Sequence, residues 1–274
     1  MTTSLDFSLR DRVAIITGGA GLLGVRHAEA IAAAGGVPVL ADIRREDAEA
    51  RAADVAKASG GKALGVGCDV TSAESIAAML DAVVARLGRV DILVNNAANN
   101  PKVETPGRSF SRLENFPADQ WDADVAVGLK GPFLCSRIVG ARFAAQKRGV
   151  IINISSEYGI IAPDQRLYRK PGLPAEEQPV KPVTYSVVKA GLHGLTLYLA
   201  TYWAQEGVRA NTISLGGVEQ GQPATFLERA EAKIPLGRMA KPTDFQGALV
   251  YLCSDAASFV TGANIVVDGG KTIW

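Results

Sequence analysis

The chain is poor in the residues that would tie it together by covalent or metal chemistry. Its three cysteines, Cys68, Cys135 and Cys253, are odd in number, far apart and set inside apolar segments. That pattern excludes a disulfide-stapled scaffold and predicts buried free thiols. The two histidines, His27 and His193, stand alone, so no metal site is expected. Charge of one sign is lacking too: 29 Lys and Arg against 28 Asp and Glu leave a formal net charge of +1. Nothing in that balance would draw a nucleic acid or an acidic membrane surface, and a small-molecule partner is expected instead. No apolar run reaches the roughly 18 residues that a membrane-spanning helix requires. The opening MTTSLDFSLRDR lacks the apolar core of a secretion signal, which makes the cytoplasm the expected compartment. With no repeat, low-complexity tract or linker, the 274 residues are read as a single domain, 1–274.

What is present is a rhythm. Short β-branched runs (RVAIIT, VPVLAD, KALGVGCDV, DILVNN, VIINIS, VRANTIS and a last strand near 263–268) alternate with Ala- and Leu-rich stretches. Those stretches have helical period at 22–35, 45–59, 72–87, 117–147, 183–206 and near 242–255. Strands apolar on both faces, separated by crossover helices, predict an α/β fold with a parallel sheet covered on both sides. Two segments rich in Pro, Gly and charge, 98–116 and 158–182, interrupt the rhythm. Each follows a strand, so each should emerge at the carboxyl edge of the sheet, where open α/β sheets bind ligands. They are expected to wall a substrate pocket.

The first apolar run closes in Thr17-Gly18-Gly19-Ala20-Gly21-Leu22-Leu23-Gly24, a glycine-rich turn that opens a helix. In that setting backbone N–H groups can meet a pyrophosphate, and a side chain would block the approach. Asp42 ends the second run, about 20 residues beyond the glycines, where a carboxylate would accept from ribose hydroxyls. It would repel a 2′-phosphate, so NAD is expected over NADP, with Arg44 and Arg45 read as solvated charges opening the next helix. Asp69 in CDVT is placed to meet an adenine amino group, while Thr71 or Ser72 caps the helix that follows. Farther on, Tyr185 and Lys189 stand four apart in TYSVVKAGLHG. On a helix such positions share a face, and the ammonium favours phenolate, bringing a reference pKa of about 10 toward neutrality. The pair is an acid/base device.

With TGGAGLLG, CDVT, NNAA, NISS, YSVVK, VRANTISLGG and a closing VVDGG in this order, the chain resembles the short-chain dehydrogenase/reductase family over nearly its whole length. The resemblance implies a Rossmann-like doubly wound parallel sheet of about seven strands with helices on both faces. It also implies NAD(H) or NADP(H) as cofactor and a homotetramer or homodimer. By matching positions, it implies Ser156 as the catalytic serine, Tyr185 as the general acid/base and Lys189 as its partner, with Asn95 supporting the central strands. Cofactor contacts fall on Gly18, Gly21, Leu22, Leu23 and Gly24 in the turn, and on Asp42, Asp69 and Val70 after the next strands. The rest are Asn96, Ala97, Tyr185, Lys189, Gly216 and Val218. Substrate contacts fall on Asn99, Ser156, Glu157, Tyr158, Tyr185 and Gly217.

The chain departs from the family pattern in four places. Gly128 stands where the family reads Asn, so a proton relay beyond Lys189 would need a water on the Gly128 carbonyl, or Asn99 or Asn100. Leu22 replaces a glycine, giving the spacing of the extended sugar-nucleotide branch. Leu215 makes the sixth-strand loop SLGG rather than SPGG. Ser156 and Tyr185 lie 29 positions apart, more than is customary, and the excess should sit beside the substrate.

Within the family the loop motifs look most like bacterial oxidoreductases of surface-glycan and flagellin-sugar biosynthesis. Asn99, Asn100, Lys102, Glu157, Asp164, Gln165, Arg166 and Lys181 suit a polyhydroxylated or anionic substrate. The reaction expected is hydride transfer between a nicotinamide and a secondary alcohol or ketone. Alternatives are a reductase of 3-oxoacyl or cyclic carbonyl compounds, a sugar-nucleotide epimerase or dehydratase, and a non-catalytic dinucleotide-binding regulatory protein. His193, Tyr198, Tyr202 and Trp203 are expected to pack, Tyr158 and Tyr168 to reach substrate. The apolar helix 183–206 should bury one face on the sheet and another on a partner subunit. Glycines at 216, 217 and 221 make 217–235 a candidate lid.

Overall fold

A computed structural model describes residues 6–99 and 111–274. Seven parallel strands form one sheet: β1 (Val13–Thr17), β2 (Val37–Asp42), β3 (Leu64–Gly67), β4 (Ile92–Asn95), β5 (Gly149–Ser156), β6 (Val208–Leu215) and β7 (Asn264–Val267), in the order β3-β2-β1-β4-β5-β6-β7. The order reverses between β1 and β4, which opens a crevice at their carboxyl ends. Strand alternation sends successive side chains to opposite faces, and each face has its own core. Ile15, Leu93 and Ile151 pack with Ile76, Val83, Val139 and Phe143, from α3 (Ala73–Leu87) and α5 (Gly131–Ala145). Ile16, Val94 and Ile152 pack with Ile31, Leu249 and Leu252, from α1 (Leu22–Ala33) and α8 (Gln246–Cys253). Helix α2 (Arg45–Ser59) shields β2 and β3. All three cysteines are buried free thiols.

The predicted helix 117–147 is instead three pieces: α4 (Ala118–Val125), a widened π turn (Ala126–Lys130) and α5. Pro132 supplies the reason, because it cannot donate to the carbonyl four residues earlier, that of Gly128. The long helix α6 (Val183–Tyr202) ends short of 206, where a separate 3-10 turn (Ala204–Glu206) follows. The segment 217–235 contains a helix that periodicity did not predict, α7 (Ala224–Glu231). A buried polar chain ties the centre together. Asn95 Nδ2 donates to Asn153 Oδ1 (2.8 Å) and Ser136 Oγ (3.1 Å), Asn153 Nδ2 donates to Thr196 Oγ1 (2.8 Å), and Thr196 meets Thr212 (2.6 Å). Among the described residues no helix is long and apolar enough to cross a membrane.

Candidate active site

The glycine-rich turn is shaped by sterics. Gly18 takes φ 61°, in the left-handed region, and a Cβ there would lie 2.9 Å from Ala97 Cα. A Cβ on Gly24 would sit 2.2 Å from the Gly18 carbonyl oxygen, so only glycine lets α1 start this close to β1. Asn96 clamps the turn, its Nδ2 donating to the carbonyls of Thr17 (3.0 Å) and Gly18 (3.2 Å). Thr17 Oγ1 accepts from the N–H groups of Asn96 (3.0 Å) and Ala97 (3.1 Å). Gly21 caps α1 with no side chain over the first-turn N–H groups, and a Cβ on it would meet only the Gly18 oxygen, at 3.3 Å. Exposed Leu22 and half-buried Leu23 follow. This open cradle fits an anion such as a dinucleotide pyrophosphate.

Asp42, at the end of β2, accepts from the N–H of Ala20 (3.2 Å) and of Arg44 (3.2 Å), which fixes its carboxylate beside the turn. Arg44 pairs with Asp47, and Arg45 Nε donates to Glu49 (2.7 Å), so both cations are engaged on their own helix. Asp69 accepts from Thr71 N (2.8 Å) and Thr71 Oγ1 (2.7 Å), while Ser72 caps α3 by accepting from Ser75 N (3.1 Å). Val70 is buried against Gly131. Across the crevice, Gly216 N donates to Val267 O (2.9 Å) and the Gly217 carbonyl accepts from Ala240 N (2.9 Å). That register pairs Val218 with Ala240 just before α7.

Ser156 ends β5, its Oγ accepting from Tyr158 N (3.3 Å). Tyr185 lies in the first turn of α6 and Lys189 one turn on, its Nζ donating to Ile154 O (2.8 Å) and lying 5.9 Å from the Tyr185 ring centre. The Tyr185 phenol lies above its ordinary value, not shifted toward neutrality as the Lys189 spacing predicts: burial pushes it up and Glu157 adds to this, while the Ser156 hydroxyl and Lys271 pull it down. Burial also pulls Lys189 down to about 8, with Lys181 acting in the same sense. Tyr158 stands edge-on to Tyr185, ring centres 6.3 Å apart, and burial holds its own phenol at about 12. Tyr168 OH donates to Tyr158 OH (3.4 Å).

Sequence reasoning missed Lys271. This buried lysine arrives from the C-terminal segment, pairs with buried Glu157 and donates to Tyr158 OH (3.4 Å). Burial raises the Glu157 carboxyl, and Lys271 draws it back. Lys181, predicted only as a wall residue, lies over Tyr185 with Nζ 3.8 Å from the ring centre. Its spacing, four before Tyr185, was the available signal. Asp124 was also missed: it accepts from Thr184 Oγ1 (2.5 Å), Gln120 Nε2 (2.8 Å) and Asn99 Nδ2 (3.3 Å).

Gly128 is buried, and a Cβ there would lie 2.5 Å from Val188 Cγ1. A small cavity of about 10 Å³ lies beside it, among Asn99, Asp124, Gly128, Tyr185 and Lys189. Asp164 is held by Arg166 (2.9 Å) and Lys233 (2.6 Å). Asn100 and Lys102 lie outside the described residues. Three packing expectations change. His193 Nε2 is 3.3 Å from Ser155 Oγ, a polar contact behind the site, whereas Tyr198 and Tyr202 stack on each other at the surface. Trp203 does pack, against Gly140.

Residues 12–168 match the family described as short chain dehydrogenase, and residues 175–272 match that described as Enoyl-(Acyl carrier protein) reductase. The chain is 36% identical to the D-threitol dehydrogenase of Mycolicibacterium smegmatis, covering 100% of this chain and 97% of that one. It is 33% identical to the cis-4-hydroxycyclohexanecarboxylate dehydrogenase of Sinomonas cyclohexanicum, over 96% and 97% of the two chains. A crystal structure of a gluconate 5-dehydrogenase from Burkholderia cenocepacia, in complex with NADP and tartrate, superposes with a TM-score of 0.84 at 30% identity, covering 98% of each chain. With the seven-stranded sheet, the glycine cradle and Ser156, Tyr185 and Lys189 at one crevice, the chain belongs to the short-chain dehydrogenase/reductase family and is an NAD(P)-dependent oxidoreductase of alcohols and ketones.

Proposed function

We propose that the protein is an NAD-dependent dehydrogenase of a polar, sugar-like secondary alcohol, working as a single domain over 1–274. The observation that carries this reading is the meeting of Ser156, Tyr185 and Lys189 beside an open glycine cradle whose neighbouring carboxylate, Asp42, forms no salt bridge with the Arg44 or Arg45 side chain among the described residues. The dinucleotide would be held by the turn from Gly18 to Gly24, by Asp42, Asp69 and Val70, and by Asn96, Ala97, Gly216 and Val218. When bound, it supplies the hydride acceptor. Tyr185 as phenolate takes the proton of the substrate hydroxyl, and Ser156 orients that oxygen. Lys189 favours the phenolate and binds the nicotinamide ribose. In the ketone direction Tyr185 returns the proton.

The NAD preference rests on the Asp42 carboxylate, which would repel a 2′-phosphate. A polar substrate, with Asn99, Ser156, Glu157, Tyr158, Tyr185 and Gly217 as its contacts in this reading, is supported by relatives named for D-threitol, a hydroxycyclohexanecarboxylate and gluconate. The narrower kinship with surface-glycan and flagellin-sugar oxidoreductases rests on the loop motifs alone. A homotetramer or homodimer is supported by Leu197, Tyr198 and Tyr202, an exposed apolar strip along α6.

The test is turnover of a panel of polyols, hydroxy acids and cyclic alcohols with NAD⁺ and NADP⁺, by wild type and Tyr185→Phe. Polyol or hydroxy-acid oxidation with NAD⁺ preferred, lost in the variant, is expected. Preference for apolar cyclic alcohols, or for NADP⁺, would overturn the substrate or the cofactor part of the reading.

A further inference from the structure

Two ammonium groups converge on the Tyr185 ring, and only one belongs to the spacing that marks the site. Lys189 Nζ lies 5.9 Å from the ring centre, whereas Lys181 Nζ lies 3.8 Å away, over the ring. A cation within about 6 Å of an aromatic face is held by the ring quadrupole, more strongly where water is excluded. Among the described residues no carboxylate pairs with Lys181, so the ring is its direct partner.

Its position is built rather than incidental. The side-chain amide of Gln165 grips the Lys181 backbone on both sides, accepting from its N–H (2.8 Å) and donating to its carbonyl (3.5 Å). Gln165 itself opens a short 3-10 turn (Gln165–Tyr168) capped by Asp164, which Lys233 anchors at 2.6 Å. Pro182 then leads straight into α6. The long connection between Ser156 and Tyr185 therefore has an identifiable product, an ammonium fixed on the catalytic ring.

We propose that Lys181 is a positioning residue for the proton transfer, its ammonium supporting the Tyr185 phenolate together with Lys189. This rests on the reading of Tyr185 as the general acid/base. The charged and titratable groups around the ring divide by sign. Lys271 from the C-terminal segment favours phenolate, and in the proposed set it is joined by Lys181 and Lys189, whose ammonium groups lie 3.8 Å and 5.9 Å from the ring centre. Glu157 after β5 opposes it, and Tyr158 and Asp124 are the remaining titratable groups facing the ring, one edge-on to it and one across the small cavity. Burial pulls Lys181 down to about 8, while Glu157 draws it up, so its support is present at neutrality and withdraws as pH rises past that value. Tyr185, Lys181 and Lys189 should titrate as one coupled set.

The experiment compares wild type, Lys181→Met and Lys181→Arg by the pH profile of kcat/KM for alcohol oxidation and by ultraviolet titration of the phenolate, with Tyr185→Phe as the blank. Lys181→Met should lower kcat at pH 7 by about tenfold and move the rising limb to higher pH by roughly one unit, with the KM for NAD⁺ unchanged. Lys181→Arg should restore most of the loss, and Gln165→Ala should give a smaller shift in the same direction. An unmoved profile in Lys181→Met, or a rise in KM confined to anionic substrates, would overturn the proposal and make Lys181 a substrate anchor. The ultraviolet titration needs no substrate: a Tyr185 phenolate signal that shifts in Lys181→Met upholds the coupling even if no panel alcohol is turned over.

Discussion

The two sides of the crevice are built from different materials. On the β1–β2 side the site is backbone: Gly18, Gly21 and Gly24 leave room and expose N–H groups, and one carboxylate, Asp42, completes it. On the β5–α6 side it is side chains, with Tyr185, Lys189, Lys181, Glu157 and Lys271 held by contacts from far along the chain. The backbone half is specified by sterics, most tightly at Gly18 and Gly24, where a Cβ would press against backbone atoms. The side-chain half is specified by charge balance in a partly dry pocket, so its properties depend on pH and can be tuned one residue at a time. On the proposed reading, the first half holds most of the dinucleotide and the second carries the proton transfer.

If that division holds, Tyr185→Phe should separate the halves most sharply. Turnover should fall roughly a hundred- to ten-thousandfold while NAD binding, followed by calorimetry, changes little. A parallel loss of binding would break the comparison. Next comes a stability effect on the backbone side. His27 of α1 is buried with both ring nitrogens unpartnered among the described residues, and burial pulls it down to about 4. Its folded value lies below the unfolded one, so it contributes stability above pH 6.5 that is lost as pH falls toward 4, roughly 3 kcal/mol in all. Urea midpoints measured across that interval should show the slope, and His27→Leu should remove it.

Gly24→Ala forces a Cβ to 2.2 Å from a backbone oxygen, so the turn must open. A cost of about 1–3 kcal/mol and weakened dinucleotide binding are expected, with Tyr185 titration unchanged. The smallest effect should be Asp42→Ala, which removes the barrier to a 2′-phosphate and narrows the NAD over NADP preference by about tenfold, or 1.4 kcal/mol. The ratio of kcat/KM for the two cofactors measures it.

These outcomes follow how legible each half was. The turn, Asp42, Ser156 and the Tyr185–Lys189 pair are local patterns, and their geometry came out as the spacing implied. Arg44 and Arg45 each pair with an acid within their own helix turn. Less visible was the break in the 117–147 helix, although Pro132 carries the reason. Gly128 was read as a missing side chain; the structure shows it as room for Val188. Asn99 does reach toward the same small cavity, through Asp124.

By itself, then, the sequence determined the parallel α/β sheet, the glycine-rich turn and the Tyr185–Lys189 spacing, because each is written in periodicity or in residues a few positions apart. Tertiary structure alone decided that Lys271 enters from the C-terminal segment to neutralise Glu157, that Asp124 pins Thr184, and that the Gln165 amide fixes the Lys181 backbone ahead of the Tyr185 ring. Those contacts join segments with no common period. Their partners are selected by burial, which makes an unpaired charge costly wherever the folded chain happens to return.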